Sequence, residues 1–296
     1  MITRELKRLT EAFSYIQLKA VVQFSEDAHL PPFKGSMLHG WFGHALKARS
    51  DKLFQILFTE HSTQQPKPYL INCSDIAKTF YRRGEFFEFS ITLLGQACQL
   101  HEEVAHALTN GQRLGFGKQH SKFKLISLSS KTPSGYKMGL HTGNLYEHIA
   151  HLGHPPTISN TQQAALLLNS LTRVKHHGKV CKLAPEDVQF WISQILRRLS
   201  LLSQFWVFDD EDFYTSLRAD YEHTAFDIHV TQNTFNNQWQ RHSLKEQKVL
   251  PFDGITGQIG FYGKDVWAIL PLLKLTELIH LGGKTTFGLG NTTLLE

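Results

Sequence analysis

The chain has 296 residues, 41% of them hydrophobic and 19% charged, which excludes a disordered chain and leaves room for two ordinary domains. No apolar run approaches the roughly 20 residues that span a bilayer, and the charged start MITRELKRLTEAF has no apolar signal core, so neither membrane insertion nor secretion is expected. A net charge of +5 points to a polyanionic partner, and three scattered cysteines (Cys73, Cys98, Cys181) imply no zinc ribbon or disulfide framework and fit a cytoplasmic setting.

In chain order, SYIQLKAVVQF (14–24) alternates cleanly, with Ile16, Leu18, Ala20, Val22 and Phe24 on one face, as a half-buried strand does. A Pro-Pro turn and a helical pattern over 36–49 follow, then a short extended piece near 68–73 and a second alternating strand at 85–94. Leu100, Val104 and Leu108 mark a helix stopped by Asn110-Gly111, and a strand runs near 121–128. The order is β-α-β-β-α-β, the ferredoxin-like plan. Residues 131–160, rich in glycine and proline, read as a linker or irregular insertion.

The second half repeats the plan. A strand at 164–174 precedes a long helix opened by Pro185, Glu186 and Asp187, with an apolar face from Val188 to Trp206. Strands at 225–235 and 254–262, a helix carrying Leu272, Leu275, Leu278 and Ile279, and a terminal strand complete it. The expected fold class is therefore α+β, two tandem ferredoxin-like (RRM-like) domains, with domains at 1–130 and 161–296. Both halves carry a glycine doublet after their second helix, Leu114-Gly115-Phe116-Gly117-Lys118 and Phe287-Gly288-Leu289-Gly290-Asn291. Four-stranded sheets of this kind are a common RNA platform, and glycine lets a phosphate backbone approach main-chain N–H groups.

Two segments carry candidate chemistry. In GSMLHGWFGHALKARS (35–50), Leu38, Trp41, Phe42, Ala45 and Leu46 share a stripe opposite Gly40, Gly43, His44 and Lys47. Two glycines inside a helix cost about 1 kcal/mol each relative to alanine, so their place beside His44 suggests that something large approaches there. His44 is the preferred proton-transfer group and Lys47, one turn on, its phosphate partner. His39 lies about 140° away on an ideal helix, at the border of the apolar stripe. The second segment is GGKTTFGLGN (282–291). Its Gly283-Lys284-Thr285 is no P-loop, because position 278 is leucine where that motif needs glycine.

The stretch 30–47, LPPFKGSMLHGWFGHALK, resembles the N-terminal motif of the CRISPR-associated repeat-processing endoribonucleases, the sixth Cas protein family of the RAMP superfamily. Residues 171–206 resemble the start and first helix of that family's second domain. Residues 237–263 resemble its basic Trp-x-Arg-x-Ser segment, and 273–291 its last helix and glycine-rich loop. Two departures stand out: His39 sits where members often carry arginine, which leaves it a second catalytic candidate, and Gly282-Gly283-Lys284 is slightly rearranged. The resemblance implies cleavage of a CRISPR precursor transcript within each repeat, without metal or cofactor. Attack by the ribose 2′-OH would leave a 2′,3′-cyclic phosphate and a 5′-OH. Its alternative is a RAMP subunit that holds guide RNA without cutting. Partners would be precursor and processed guide RNA, with other CRISPR effector or adaptation proteins beyond them.

On this view Gly282, Gly283, Lys284, Thr285, Gly288 and Gly290 form an RNA-backbone cradle, and Gly40 and Gly43 admit the chain beside His44. Lys118, Lys175, Trp239, Arg241 and Lys245, which stand among further basic clusters, would add contacts to it. Arg197 and Arg198 receive no role. His148, His151 and His154 have a spacing that could bind metal, but no cysteine or acid completes a set nearby; Asp209 to Asp212 could suggest a metal-dependent nuclease but read better as a solvated loop.

Overall fold

The computed structural model describes residues 1–59, 65–73, 78–155, 162–243 and 248–296; of 240–243 and 248–251 the backbone alone is described. The chain divides into two compact units, one of Ser14–Gly143 with Thr286–Gly288 and one of Met1–Phe13, Asn144–Thr285 and Leu289–Glu296. Helix α1 (Arg4–Ala12), whose Thr3 cap accepts the Leu6 N–H at 3.2 Å, thus belongs to the second unit, although sequence order places it in the first half.

The Ser14–Gly143 unit contains β1 (Ser14–Phe24), β2 (Ala28–His29), α2 (Lys34–Arg49), α3 (Asp51–Phe58), β3 (Tyr69–Asn72), β4 (Phe80–Tyr81), β5 (Phe86–Leu94), α4 (His101–Gly111), β6 (Phe123–Thr132) and β7 (Gly135–Met138). Its sheet runs β3-β5-β1-β6-β7, antiparallel throughout. Without the added edge strand β7 this is the ferredoxin-like order. The alternation in β1 does what it promises: Ile16, Leu18, Ala20, Val22 and Phe24 are all buried beneath the helices. Gln17 on the other face is also buried, because Tyr136 of β7 reaches across and donates to its Oε1 at 3.1 Å. Helices α2 and α4 meet at Trp41, whose indole N–H donates to Gly111 O at 3.0 Å. A Cβ on Gly111 would lie 2.7 Å from that ring, so this glycine, the last residue of α4, is also the seat of a tryptophan. Burying Trp41 and Phe42 contributes on the order of 1.5–3 kcal/mol each.

The remainder holds β8 (Gly143–Asn144), α5 (Leu145–Ile149), β9 (Gln162–Thr172), β10 (Lys175–His176), β11 (Lys179–Val180), α6 (Val188–Trp206), α7 (Glu211–Glu222), β12 (His229–Ser243), β13 (Lys248–Gly263), α8 (Val266–Ile279) and β14 (Thr292–Leu295). Here the order is β12-β13-β9-β14, again antiparallel and again ferredoxin-like, with β9 and β13 in the centre. The fold is thus the α+β tandem ferredoxin-like arrangement.

Three local expectations change. The stretch read as linker carries β7, β8 and α5 over 135–149. The acidic run after α6 is not a loop: Asp210 caps α7 by accepting the Phe213 N–H at 3.0 Å, and Glu211 and Asp212 occupy the first turn, where the helix dipole favours negative charge. His148 does meet an acid, one 129 residues away in sequence: its Nε2 lies 3.1 Å from Glu277 Oε2. Glu277 also accepts from Lys274 and from the Leu294 N–H, so one carboxylate ties α5, α8 and β14 together. Burial pushes the Glu277 pKa up, but the His148 and Leu294 hydrogen bonds and the Lys274 charge outweigh it and bring the group down to about 2. Among the described residues no three His, Cys, Asp or Glu side chains gather as a metal site, and no helix is long and apolar enough to cross a membrane.

Candidate functional site

Helix α2 carries the candidate catalytic groups, and the structure separates them. His44 and Lys47 are exposed, one turn apart on the same face; Lys47 Nζ lies 5.9 Å from the Phe54 ring centre, which leaves its charge at the surface. His39 is 7% exposed and set among aromatic rings, its centroid 4.6 Å from Phe58 and 4.1 Å from Phe287. Its Nδ1 is 3.1 Å from the Tyr69 hydroxyl. A histidine held in this way is well ordered and poorly placed to meet solvent.

The two glycines of the helix have different reasons. Gly43 is buried, and a Cβ there would lie 2.7 Å from the Phe58 ring. The large object that approaches Gly43 is therefore a side chain of α3, which corrects the reason inferred for this glycine from sequence. Gly40 is half-buried with nothing within 4 Å of a would-be Cβ, and it leaves open space one turn before His44.

The paired glycine doublets are alike in conformation. Gly115 and Gly117 have φ of 70° and 70°, Gly288 and Gly290 have 82° and 74°, and the residue between each pair, Phe116 or Leu289, is 0% exposed. Each loop is pinned by one apolar side chain between two left-handed residues, a conformation that only glycine adopts freely. Gly288 and Gly290 are thus first of all elements of the fold. Thr285 is likewise turned inward, 4% exposed, with its hydroxyl accepting from Arg198 Nη2 at 2.9 Å. Gly282 and Gly283 pair with the chain just after β9, where the Gly283 N–H donates to Arg173 O at 3.0 Å. Lys284 is the exposed cation of this turn.

The other basic candidates lie on different elements. Lys118 is exposed in the first glycine loop, and Lys175 is exposed at the start of the β10–β11 hairpin, two residues after the Arg173 that holds Gly283. Trp239 is half-buried on β12 opposite Phe252 of β13. Arg241 is described by its backbone, paired with Leu250, and Lys245 lies outside the described residues.

Sequence reasoning gave no role to two groups beneath the second loop. Arg198, half-buried on α6, donates from Nε to Ile279 O at 3.2 Å as well as to Thr285; loss of water lowers its pKa to about 10, and it stays charged at neutral pH. The available signal was position: 198 falls three residues after Ile195 and four before Leu202, next to the apolar stripe. His280 is 1% exposed, with Nδ1 3.1 Å from Leu289 O. Burial, aided by the Arg198 charge, depresses its pKa from 6.5 to about 4.

A histidine that folds neutral destabilises the protein once the unfolded chain can take up its proton. Stability from this site is complete above pH 6.5 and falls as the pH drops toward 4, by about 3 kcal/mol in all. Glu277 adds its own loss between about 4.5 and 2. Urea midpoints measured at pH 7, 5.5 and 4 are expected to fall steeply in the wild type and less steeply in His280→Asn, which keeps an N–H donor for Leu289 without a titrating ring.

Comparison with known proteins adds the family. Residues 166–292 match the model of the CRISPR-associated endoribonuclease Cas6, and residues 13–152 match a model described only as an N-terminal domain. The chain is 23% identical over 300 residues to an uncharacterized protein of Archaeoglobus fulgidus, covering 93% of this chain and 95% of that one. Its fold is similar to that of Thermus thermophilus Cas6, with TM-score 0.58 and 16% identity over 96% of this chain and 99% of that one. A Cas6 product complex gives TM-score 0.59 and 18% identity over 94% and 99%. A partial Cas6-RT-Cas1–Cas2 complex gives 0.63 and 16% over 96% of this chain and 46% of the other. At these identities the structural likeness is one of fold, and the sequence match is confined to one region: residues 166–292 match the CRISPR-associated endoribonuclease Cas6 family.

Proposed function

We propose that this protein matures CRISPR RNA by cutting precursor transcripts within the repeat, without a metal ion. The observation that carries the activity is the Cas6 match over residues 166–292. The residue roles rest on α2, where an exposed histidine and an exposed lysine stand one turn apart. The ribose 2′-oxygen before the cut attacks the adjacent phosphorus, and the bond from phosphorus to the 5′-oxygen breaks. His44 is the group that moves a proton, from the 2′-hydroxyl or to the leaving 5′-oxygen. Lys47 or backbone N–H groups offset the charge that grows on the phosphorane. The products are a 2′,3′-cyclic phosphate and a 5′-OH. Precursor and processed guide RNA are the partners, with Lys284, Lys175 and Lys118 as separate phosphate contacts and other CRISPR proteins as further partners.

The test uses the cognate repeat RNA and its analogue carrying a 2′-deoxyribose at the cut, both in excess EDTA. Cleavage of the ribose substrate alone is expected. Cleavage that stops in EDTA and returns with magnesium would sink the metal-free mechanism. Tight binding with no cleavage would make the chain a guide-RNA-holding subunit.

A further inference from the structure

The turn that carries Lys284 is fastened on both sides. On one side the Gly283 N–H donates to Arg173 O at 3.0 Å. On the other, Thr285 Oγ1 accepts from Arg198 Nη2 at 2.9 Å, and the same guanidinium holds Ile279 O at 3.2 Å. Between the two, Lys284 sits at φ 62° with its side chain exposed. Lysine has no intrinsic reason to adopt the left-handed region, where its Cβ crowds the following carbonyl. A residue in that conformation persists because its surroundings impose it. The imposing groups here are the two anchors, and one of them is a charged side chain brought under the loop from α6.

We propose that Arg198 is a positioning residue: by holding the Thr285 hydroxyl it fixes the left-handed turn and so sets the direction in which Lys284 presents its charge to an RNA phosphate. The inference rests on the RNA-binding role proposed for this loop, and deepens it by naming the side chain through which the loop is aimed. Arg198 touches no RNA in this scheme; it acts through Thr285. A charge-assisted hydrogen bond suits the task, because the fixed fork of the guanidinium satisfies Ile279 O and Thr285 Oγ1 in one geometry.

The test keeps the loop and the RNA separate. Thr285→Val removes the acceptor with little change of volume, Thr285→Ser keeps it, and Arg198→Met removes the donor; Thr285→Val stands as the readable variant if Arg198→Met folds poorly. Amide hydrogen exchange at Lys284 and Thr285, compared with that at core amides of α6, is expected to quicken at least about tenfold in Thr285→Val and to stay near wild type in Thr285→Ser. Binding of single-stranded repeat RNA is then titrated against salt. Thr285→Val and Lys284→Ala should each weaken binding about tenfold. Each should lower the salt slope by about 0.7, the contribution of one phosphate contact on a single strand. The double variant should be no worse than either alone.

Unchanged exchange in both Thr285→Val and Arg198→Met would overturn the positioning role, even if Lys284→Ala weakens RNA binding. Losses that multiply in the double variant would also overturn it, since Arg198 would then act independently of Lys284. Quickened exchange with wild-type RNA binding in Lys284→Ala would show a held loop that holds no phosphate. In that case the RNA role of the loop fails, and the aim of Lys284 with it.

Discussion

His44→Ala is expected to bind repeat RNA within a few-fold of the wild type and to cut it about 10²–10⁴ times more slowly, the span that one general acid or base supplies. The expectation follows from exposure. His44 stands on the outer face of α2 with Lys47 one turn away, and removing its ring leaves no cavity in the core. His39→Ala should behave differently. Its ring is packed against Phe58 and Phe287, and its Nδ1 is engaged with the Tyr69 hydroxyl, so truncation opens a space among aromatic rings. A stability loss of about 2–4 kcal/mol is expected there, in the range for truncating a large buried side chain. Single-turnover cleavage and thermal melts on both variants separate the roles. Should His39→Ala melt like the wild type and fail to cut, while His44→Ala cuts normally, the assignment reverses, and the aromatic surround of His39 becomes the environment of a catalytic base. His39→Gln sharpens the contrast, because it refills part of the volume but cannot take up a proton at neutral pH.

Much of this arrangement is legible in the residues, and the parts that are not share a cause. The alternation of β1 and β5, the apolar face of α6 and the repeated glycine doublet are signals within one element, and each appears where it was read. Helix α1 offers only Leu6, Leu9 and a buried Thr10 to the core, too few apolar positions to announce a helix in a charged stretch. The long end of β12 is largely polar over 236–243, and it is backbone pairing with β13 from Ser243–Lys248 inward that makes it strand. Gly43 is explained by Phe58, fifteen residues on, and Thr285 by Arg198, eighty-seven residues back. For both, the sequence shows that the residue is unusual, and only the tertiary partner shows why. His148 teaches the same lesson, since its acid lies on α8 and no spacing rule points there.

The glycines of the second loop then divide by a measurable criterion. Gly290→Ala should cost about 3 kcal/mol or more, while Gly283→Ala should leave stability within about 0.5 kcal/mol of the wild type. At Gly290 the chain sits at φ 74°, and a Cβ would lie 1.9 Å from Leu281 O. The obstacle is backbone, itself fixed by the Leu281 N–H donating to Gly290 O at 2.8 Å, so neither side can yield without breaking the loop's closure. The Gly290 N–H also donates to Leu171 O at 2.9 Å, which ties the same residue to β9. Gly283 is exposed, outside the left-handed region, and meets nothing nearer than Arg173 O at 3.9 Å. Its side-chain space is free on the protein side, so a methyl group there intrudes only on a bound ligand. If Gly283→Ala folds normally and weakens RNA binding, a phosphate passes close to this backbone, and the absence of a side chain at 283 serves the ligand. If it folds normally and binds normally, the RNA does not reach Gly283, and the contact attributed to this loop contracts to Lys284. An unfolded Gly283→Ala would contradict the open space seen around it. A Gly290→Ala that melts like the wild type would mean that the loop can close without its left-handed residue, and the structural account of the doublet would fall.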